Sequence, residues 1–261
     1  MKRQSWLCAR LAIRTKNERG RYAMKRVFLE TTDSTNEYAK ARRSERENLL
    51  VVAKAQTGGR GTKGRSFSSG KGGLYLSLLK FYKDFPASNA FQIMQGAAAA
   101  VCETLAFLGL NPKIKWPNDV YVNGKKICGI LIENALQGKR IASSVVGIGL
   151  NVYNDLPQEL LPIATTLLKE TGKRTDVQTV LDTLLRFLEE ENVHEKYARY
   201  LGWLGEEITL LIGEKERKAK LLSVDETGGL WADIDGERKR FVAAEISLRV
   251  ASLTRIEPRQ A

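Results

Sequence analysis

Two stretches of the sequence carry residue types and spacings that can do chemistry. Residues 57–73 (TGGRGTKGRSFSSGKGG) set Arg60, Lys63, Arg65 and Lys71 among seven glycines. Glycine lets successive backbone N–H groups turn toward one anion, and the basic side chains add positive charge without bulk at the turns. That combination reads as a mobile clamp for a phosphate or a carboxylate. The second stretch, Lys115-Trp116-Pro117-Asn118-Asp119, reads as a stiff bend. Pro117 fixes its own φ and pushes Trp116 toward extended geometry, so Lys115 and the Asn118-Asp119 pair are held in a set relation.

Taken literally, Gly59 to Gly64 spells the dinucleotide fingerprint G-x-G-x-x-G, and Gly59 to Ser66 is one residue from a P-loop, with Arg65 at the lysine position. Both motifs need a helix N-terminus directly after the loop to receive the phosphates. Here SFSSGKGG and a further strand follow, and both are set aside. Imidazole chemistry is restricted as well. His194 is the single histidine, so a Ser-His-Asp triad, a His-rich zinc site or a His proton shuttle would each depend on it. It stands in a polar helical run (LEEENVHEKYARY) and is expected to be exposed. Cys8, Cys102 and Cys128 are far apart, odd in number and without a C-x-x-C, so they suggest neither a disulfide framework nor a metal or redox site. Reduced thiols fit a cytoplasmic location. Cys102 and Cys128, in apolar segments, are expected to be packing residues. No metal ligand is assigned.

The elements that must position these residues follow from periodicity and turn chemistry. Residues 26–30 read as a strand. Asp33, Ser34 and Thr35 then offer N-cap chemistry to a helix from Asn36 to about Arg46. Residues 49–56 are a buried strand leading through Gln56 into the clamp, and 74–81 are the strand after it. A long apolar helix spans 87–109 with small residues at Gly96 to Ala100. Residues 114–134 read as strand, turn, hairpin and strand, with Asn123-Gly124 as the tight turn. A strand at 140–152 ends at Gly147-Ile148-Gly149, and 162–204 is helical. Beyond Gly205 four or five short strands, separated by Gly213-Glu214, Thr227-Gly228-Gly229 and Asp235-Gly236, suggest a small barrel appended to an α+β body.

Charge is unevenly placed. The net +12 comprises +8 from residues 1–26, with nine basic groups and one acid, and +4 from the other 235 residues. Such an arm suits nucleic acid, organelle targeting, or sequence upstream of a start at Met24. A dispensable extension is the expectation, and it lacks the apolar core of a secretory signal. No uninterrupted apolar stretch approaches the 18 or more residues of a membrane span, so no membrane association is expected.

In order along the chain stand Asp33-Ser34-Thr35-Asn36, Gln56 with the clamp, Lys115 to Asp119, Lys125-Lys126, Gly129-Ile130-Leu131-Ile132-Glu133, Gly147-Ile148-Gly149-Leu150-Asn151 and the terminal ETGGLWADIDGERKRFVAAEISLR. This set resembles the biotin–protein ligase (biotin–[acetyl-CoA-carboxylase] ligase) family over residues 26–250. The resemblance implies a mixed central sheet with packed helices, like the catalytic domains of class II aminoacyl-tRNA synthetases, plus a small C-terminal SH3-like β-barrel. It divides the chain into a basic extension (1–25), a catalytic domain (26–205), the SH3-like domain (206–252) and a tail (253–261). Biotin and ATP would give biotinyl-5′-AMP and pyrophosphate, and the biotinyl group would pass to a lysine of a biotin carboxyl carrier protein or domain of a biotin-dependent carboxylase. Mg²⁺ would accompany the ATP phosphates.

By the same resemblance Ser34, Thr35, Asn36 and Gln56 would meet the ureido end of biotin, with Gly129 and Leu131 as the pocket wall. Arg60 and Lys115 would lie near the phosphate and the biotin carboxylate and Lys126 near that carboxylate, with Gly61 and Thr62 among the other biotin-binding residues. Arg60, Lys63, Arg65, Lys115, Asn118 and Asn151 would serve the phosphates. Lys115, Arg60 and Asp119 are the catalytic candidates, Asp119 as the carboxylate that orients or deprotonates the acceptor amine. Two departures from the family pattern stand out: Thr62 where a basic residue is frequent, and Phe67 where tryptophan is common. The family's N-terminal winged-helix domain, which lets some members repress biotin genes, has no counterpart in the short arm. DNA binding and repression are therefore not expected, while homodimerisation through the central sheet is compatible with the resemblance. A lipoate or octanoyl ligase or transferase is the competing enzyme. It would want a long apolar channel without ureido partners. A nucleic-acid-binding protein and a non-enzymatic biotin binder are the alternatives outside that class.

Overall fold

Buried strands of uneven length build the main sheet of the computed structural model, which describes residues 24–213 and 215–242 and the backbone of 246–250, apart from the Lys63 side chain. Residues 1–23 of the expected 1–25 extension, Cys8 among them, and the tail from residue 253 lie outside the described residues, while Lys25 already opens the first strand. Seven strands form a mixed sheet: β1 (Lys25–Leu29), β2 (Leu49–Ala53), β3 (Leu74–Phe81), β4 (Lys113–Lys115), β5 (Asp119–Val122), β6 (Lys125–Gln137) and β7 (Arg140–Leu150). Their order is β1-β2-β3-β7-β6-β5-β4, parallel between β1 and β2 and antiparallel elsewhere. Every residue of β2 is buried, as its unbroken LLVVA run requires of a strand covered on both faces.

One face of the sheet carries α2 (Phe91–Phe107), α4 (Val177–Phe187) and α5 (Val193–Tyr200) over the main apolar core. The small residues Gly96 to Ala100 let α2 be buried on more than one side. By length and composition Ala87–Phe107 passes for a membrane span, but 61% of its most apolar 18-residue window is buried inside the fold. It is the core helix. Its Gln95, fully buried, pairs with His194 at 2.9 Å, so His194 is half-buried on α5 and not exposed as its polar flanks suggest. Cys102 and Cys128 are buried and free, and burial pushes both thiols up.

The opposite face carries α1 (Thr35–Lys40). Ser34 caps it, accepting from the Glu37 amide, as the sequence indicates. The helix stops well short of Arg46, which adopts a left-handed φ of 53°. The segment ARRSERE offers no apolar stripe to bury, and neighbouring like charges oppose another turn. Residues 162–204 likewise divide into α3 (Leu167–Thr171), α4 and α5, with Gly172 left-handed after α3.

Beyond Gly205, β8 (Glu207–Ile212), β9 (Lys215–Val224), β10 (Leu230–Ile234), β11 (Glu237–Phe241) and β12 (Ile246–Val250) form an antiparallel sheet in the order β11-β10-β9-β8-β12. Asp235 and Gly236, both at positive φ, make the two-residue hairpin between β10 and β11. Ile208, Leu210, Leu221 and Leu230 join the same apolar core as the larger sheet. A hydrogen bond from Trp116 Nε1 to the Gly228 carbonyl (3.1 Å) ties the two sheets together directly behind the proline bend.

Candidate active site

Sheet register assembles a trough on the α1 face. Tyr75, Gly149, Gly129 and Asp119 lie opposite one another across β3, β7, β6 and β5, and Ser77, Gly147 and Leu131 form the next row. Two adjacent glycines leave the middle of the first row bare. The Phe67 ring fills that space, since a Cβ on Gly149 would come within 2.6 Å of it. Phe67 also meets Tyr75 edge to face at 6.4 Å. At Gly147 a Cβ would overlap the Asn36 carboxamide, so that glycine is what lets α1 approach the sheet.

Above the trough is a cavity of about 330 Å³. All sixteen residues expected at the site line it except Lys63, whose side chain lies outside the described residues. At the floor Thr35 donates from its backbone N–H to Gln56 Oε1 (2.8 Å), and its hydroxyl lies 3.0 Å from the same oxygen. Gln56 Nε2 donates to Ser69 Oγ at 2.9 Å. Buried Ser77 Oγ lies 2.6 Å from Asn36 Oδ1 and 2.8 Å from Thr35 Oγ1. Asn36 Nδ2 donates to Glu133 Oε2 (2.8 Å), whose other oxygen meets Lys40 Nζ at 2.7 Å. Burial opposes the Glu133 charge, yet the bonds from Lys40 and Asn36 hold its carboxyl below the ordinary range. Lys40 is raised despite its own burial, through Glu133 and Glu37.

The glycine-rich segment folds over the mouth. It holds one short 3₁₀ turn at Thr62–Gly64 and runs on into β3, so no helix follows to serve as a phosphate terminus. Gly61 N–H donates to the Arg65 carbonyl at 2.6 Å, and Phe67 N–H to the Gly59 carbonyl at 2.9 Å. Arg60 reaches back to Glu37 on α1 (2.7 Å). Arg65 turns onto Thr62, its Nη2 3.1 Å from the hydroxyl and its Nε 3.3 Å from the carbonyl.

The bend from Lys115 to Asp119, with a cis Trp116–Pro117 bond, joins β4 to β5. It is braced from behind by Tyr197, whose hydroxyl donates to the Pro117 carbonyl at 3.0 Å, and by the Trp116 bond to Gly228. Asn118 Nδ2 donates to the Ile130 carbonyl (2.9 Å), which fixes the neighbouring Asp119. Lys115 Nζ lies 5.4 Å from the Tyr121 ring centre. Burial, with the Asp119 charge, keeps the Tyr121 phenol well above its ordinary range. Lys126 Nζ meets Asp119 Oδ1 at 2.8 Å. This pairing depends on a bulge: Val120 faces Cys128 and Tyr121 faces Lys126, leaving Ile127 as the extra residue. Without it, Lys126 and Gly129 would point to opposite faces.

Asn151 lines the cavity, but its Nδ2 donates to the Thr165 carbonyl (3.1 Å) and its Oδ1 accepts from Asn154 (3.2 Å). Both ends of the amide thus hold the 153–166 segment in place. That segment adds Leu156, Leu160, Ile163 and Ala164 to the lining, an apolar patch the sequence reading missed. Ser77, Ser69 and Gly147 were missed as well. Asp119 is the one carboxylate among the described residues lining the cavity. No group of three or more His, Cys, Asp or Glu suited to a metal occurs among the described residues.

A polar-floored cavity on a mixed sheet, covered by a cationic glycine-rich segment, is the frame of an enzyme that handles an anionic small molecule. The sequence model of the Biotin/lipoate A/B protein ligase family matches residues 28–151. The bifunctional ligase/repressor BirA of Bacillus spizizenii is 33% identical over 85% of this chain and 73% of its own length. The biotin–[acetyl-CoA-carboxylase] ligase of Paracoccus denitrificans is 30% identical over 84% of this chain and 98% of its own. Among solved structures, the biotin protein ligase of Aquifex aeolicus in complex with biotin and ATP superposes with a TM-score of 0.71 at 35% identity, covering 86% of this chain and 98% of that one. The chain belongs to the biotin–protein ligase family, and the protein is an enzyme of that family.

Proposed function

We propose that the protein activates biotin with ATP to biotinyl-5′-AMP, releasing pyrophosphate, and transfers the biotinyl group to a lysine of a biotin carboxyl carrier protein or domain of a carboxylase. The observation that carries this reading is the convergence of Thr35 and Gln56, with buried Ser77 bonded behind Thr35, and of Arg60, Lys115 and Lys126 around one cavity. The floor offers donors and acceptors to a ureido ring, which a lipoate channel would not need. The Aquifex complex with biotin and ATP and the name of the Paracoccus relative support the same substrates.

In the first step a carboxylate must approach the α-phosphate, and cations preorganised between two anions offset their repulsion. Arg60, Lys115 and Lys126, which line the cavity, would serve this step. Mg²⁺ would enter with the ATP phosphates. One carboxylate beside a phosphate site suits that mode, in which substrate oxygens and water supply most ligands. The apolar patch at Leu156, Leu160 and Ile163 offers a surface to the adenine base. In the second step the acceptor lysine arrives as an ammonium at neutral pH and needs a base. Asp119 has that role. The glycine-rich segment, with Phe67 over the trough, would keep water from the mixed anhydride.

The catalytic domain is assigned to residues 26–205, and its mixed seven-stranded sheet is compatible with a class II synthetase-like fold. Residues 206–252 are assigned as an SH3-like domain, supported by five antiparallel strands with short turns. Cys102 and Cys128 are both free thiols, and a cytoplasmic setting is part of this reading. The reading is tested by following the two half-reactions separately in the Asp119→Asn variant. Transfer of label from preformed biotinyl-5′-AMP to a carrier domain should fall by about 10²-fold or more, and adenylate formation by much less. Equal loss in both steps would remove Asp119 from the role of base.

A further inference from the structure

Lys126 and Asp119 are the cation and the anion nearest each other in the cavity lining, at 2.8 Å, and each is held by its backbone. Lys126 is pinned at both ends of its peptide, its N–H donating to Ile163 (2.9 Å) and its carbonyl accepting from Thr165 (2.9 Å). Asp119 is fixed through Asn118, whose carbonyl accepts from the Ile130 N–H at 3.0 Å. Their side chains are 29% and 16% exposed, so the pair sits inside the mouth and not on the outer surface. Gly129 makes room for the ammonium, since a Cβ there would stand 3.2 Å from Lys126 Nζ. A substrate carboxylate entering this cavity therefore finds Lys126 already bound to a carboxylate of the protein.

We infer that Asp119 is a stand-in for the substrate carboxylate: Lys126 leaves Asp119 for the tail of biotin, and that exchange is what frees Asp119 to act on the acceptor amine. The inference rests on the proposed biotin reading and adds a sequence of events to it. While Lys126 satisfies Asp119, no unpaired base waits beside the phosphate site. Once the tail is bound and joined to AMP as the mixed anhydride, Asp119 accepts one proton from the incoming ε-ammonium. The nitrogen then forms the amide C–N bond, the acyl C–O bond to AMP breaks, and AMP leaves with the electron pair. The second surplus proton on nitrogen passes to water. The base is thus released only when there is an acyl group to transfer.

Calorimetric titration of biotin and of biotinamide, which keeps the ureido ring but has no charged tail, separates these ideas. The exchange predicts that Asp119→Asn binds biotin more tightly than wild type, by about fivefold for relief of one partly exposed ion pair. Biotinamide affinity should stay unchanged, which also shows the variant pocket to be intact. In Lys126→Met the preference for biotin over biotinamide should collapse, and adding Asp119→Asn should then have no further effect. Should Asp119→Asn fail to bind biotinamide, Asp119→Ser, which also removes the carboxylate, takes its place. Equal or weaker biotin binding without the Asp119 carboxylate, with biotinamide still bound, overturns the exchange and leaves the biotin reading standing. Failure of wild type to bind either compound overturns that reading instead.

Discussion

Adding one methyl group at Gly147 drives it into the Asn36 carboxamide, which the buried Ser77 hydroxyl and Glu133 hold from two sides. Gly147→Ala must therefore shift α1 or break the floor network. Such overpacking typically costs about 1–3 kcal/mol, so biotin affinity is expected to fall by about tenfold or more when titrated calorimetrically. Thr62 makes the opposite kind of test. Its hydroxyl and carbonyl engage Arg65 and keep that guanidinium on the glycine-rich segment itself. Thr62→Arg adds a cation over the mouth and should slow the loss of biotinyl-5′-AMP, measured as release of labelled adenylate. An unchanged or faster release would contradict it. Ser34, Thr35 and Gln56 were legible from sequence because they stand in an ordered motif beside a cap. Ser77 and Gly147 were not: a serine or glycine within an apolar strand gives no sign of which face it occupies until register is known.

Among the elements, the turn from Asp225 to Gly229 has the greatest reach. The Asp225 carboxylate accepts from the Thr227 and Gly229 backbone N–H groups, from Trp231 and from Arg240. It thereby presents the Gly228 carbonyl to Trp116 on the proline bend. Burial works against the charge, but these bonds prevail and hold the Asp225 carboxyl well below the usual carboxylate range. A depressed folded-state value contributes stability that is fully present above the unfolded value of about 3.9 and is lost as pH falls below it. Asp225→Asn should lower stability at pH 7 by about 1–3 kcal/mol in urea unfolding followed by tryptophan fluorescence. The difference from wild type should shrink toward pH 2. A constant difference across that range would assign the effect to packing. Turn residues made this sheet readable in advance: Gly213, Gly228 and Asp235-Gly236 all fall at positive φ where strands end. Helix lengths were less readable. The segment after Lys40 and residues 162–204 carry helix-forming side chains, yet the chain must turn back to the sheet, and tertiary packing overrides propensity there.

At the scale of the molecule, two sheets share one apolar core, and the site lies on the face of the larger sheet that α1 only partly covers. The order of motifs along the chain disclosed most of this arrangement, since most cavity-lining elements carry a recognisable residue. The 153–166 segment did not: its leucines look like any loop anchored by chance. Its place follows only from long-range bonds through Asn151, Lys126 and Thr165. The central claim is that these parts gather biotin and ATP for carboxylate activation, and exchange of labelled pyrophosphate into ATP reports that step without a carrier protein. Exchange should depend on biotin, fail with lipoate, and fall by at least about 10²-fold in Lys115→Met as a preorganised cation is lost. Exchange that proceeds equally with lipoate, or without any added acid, would contradict the account.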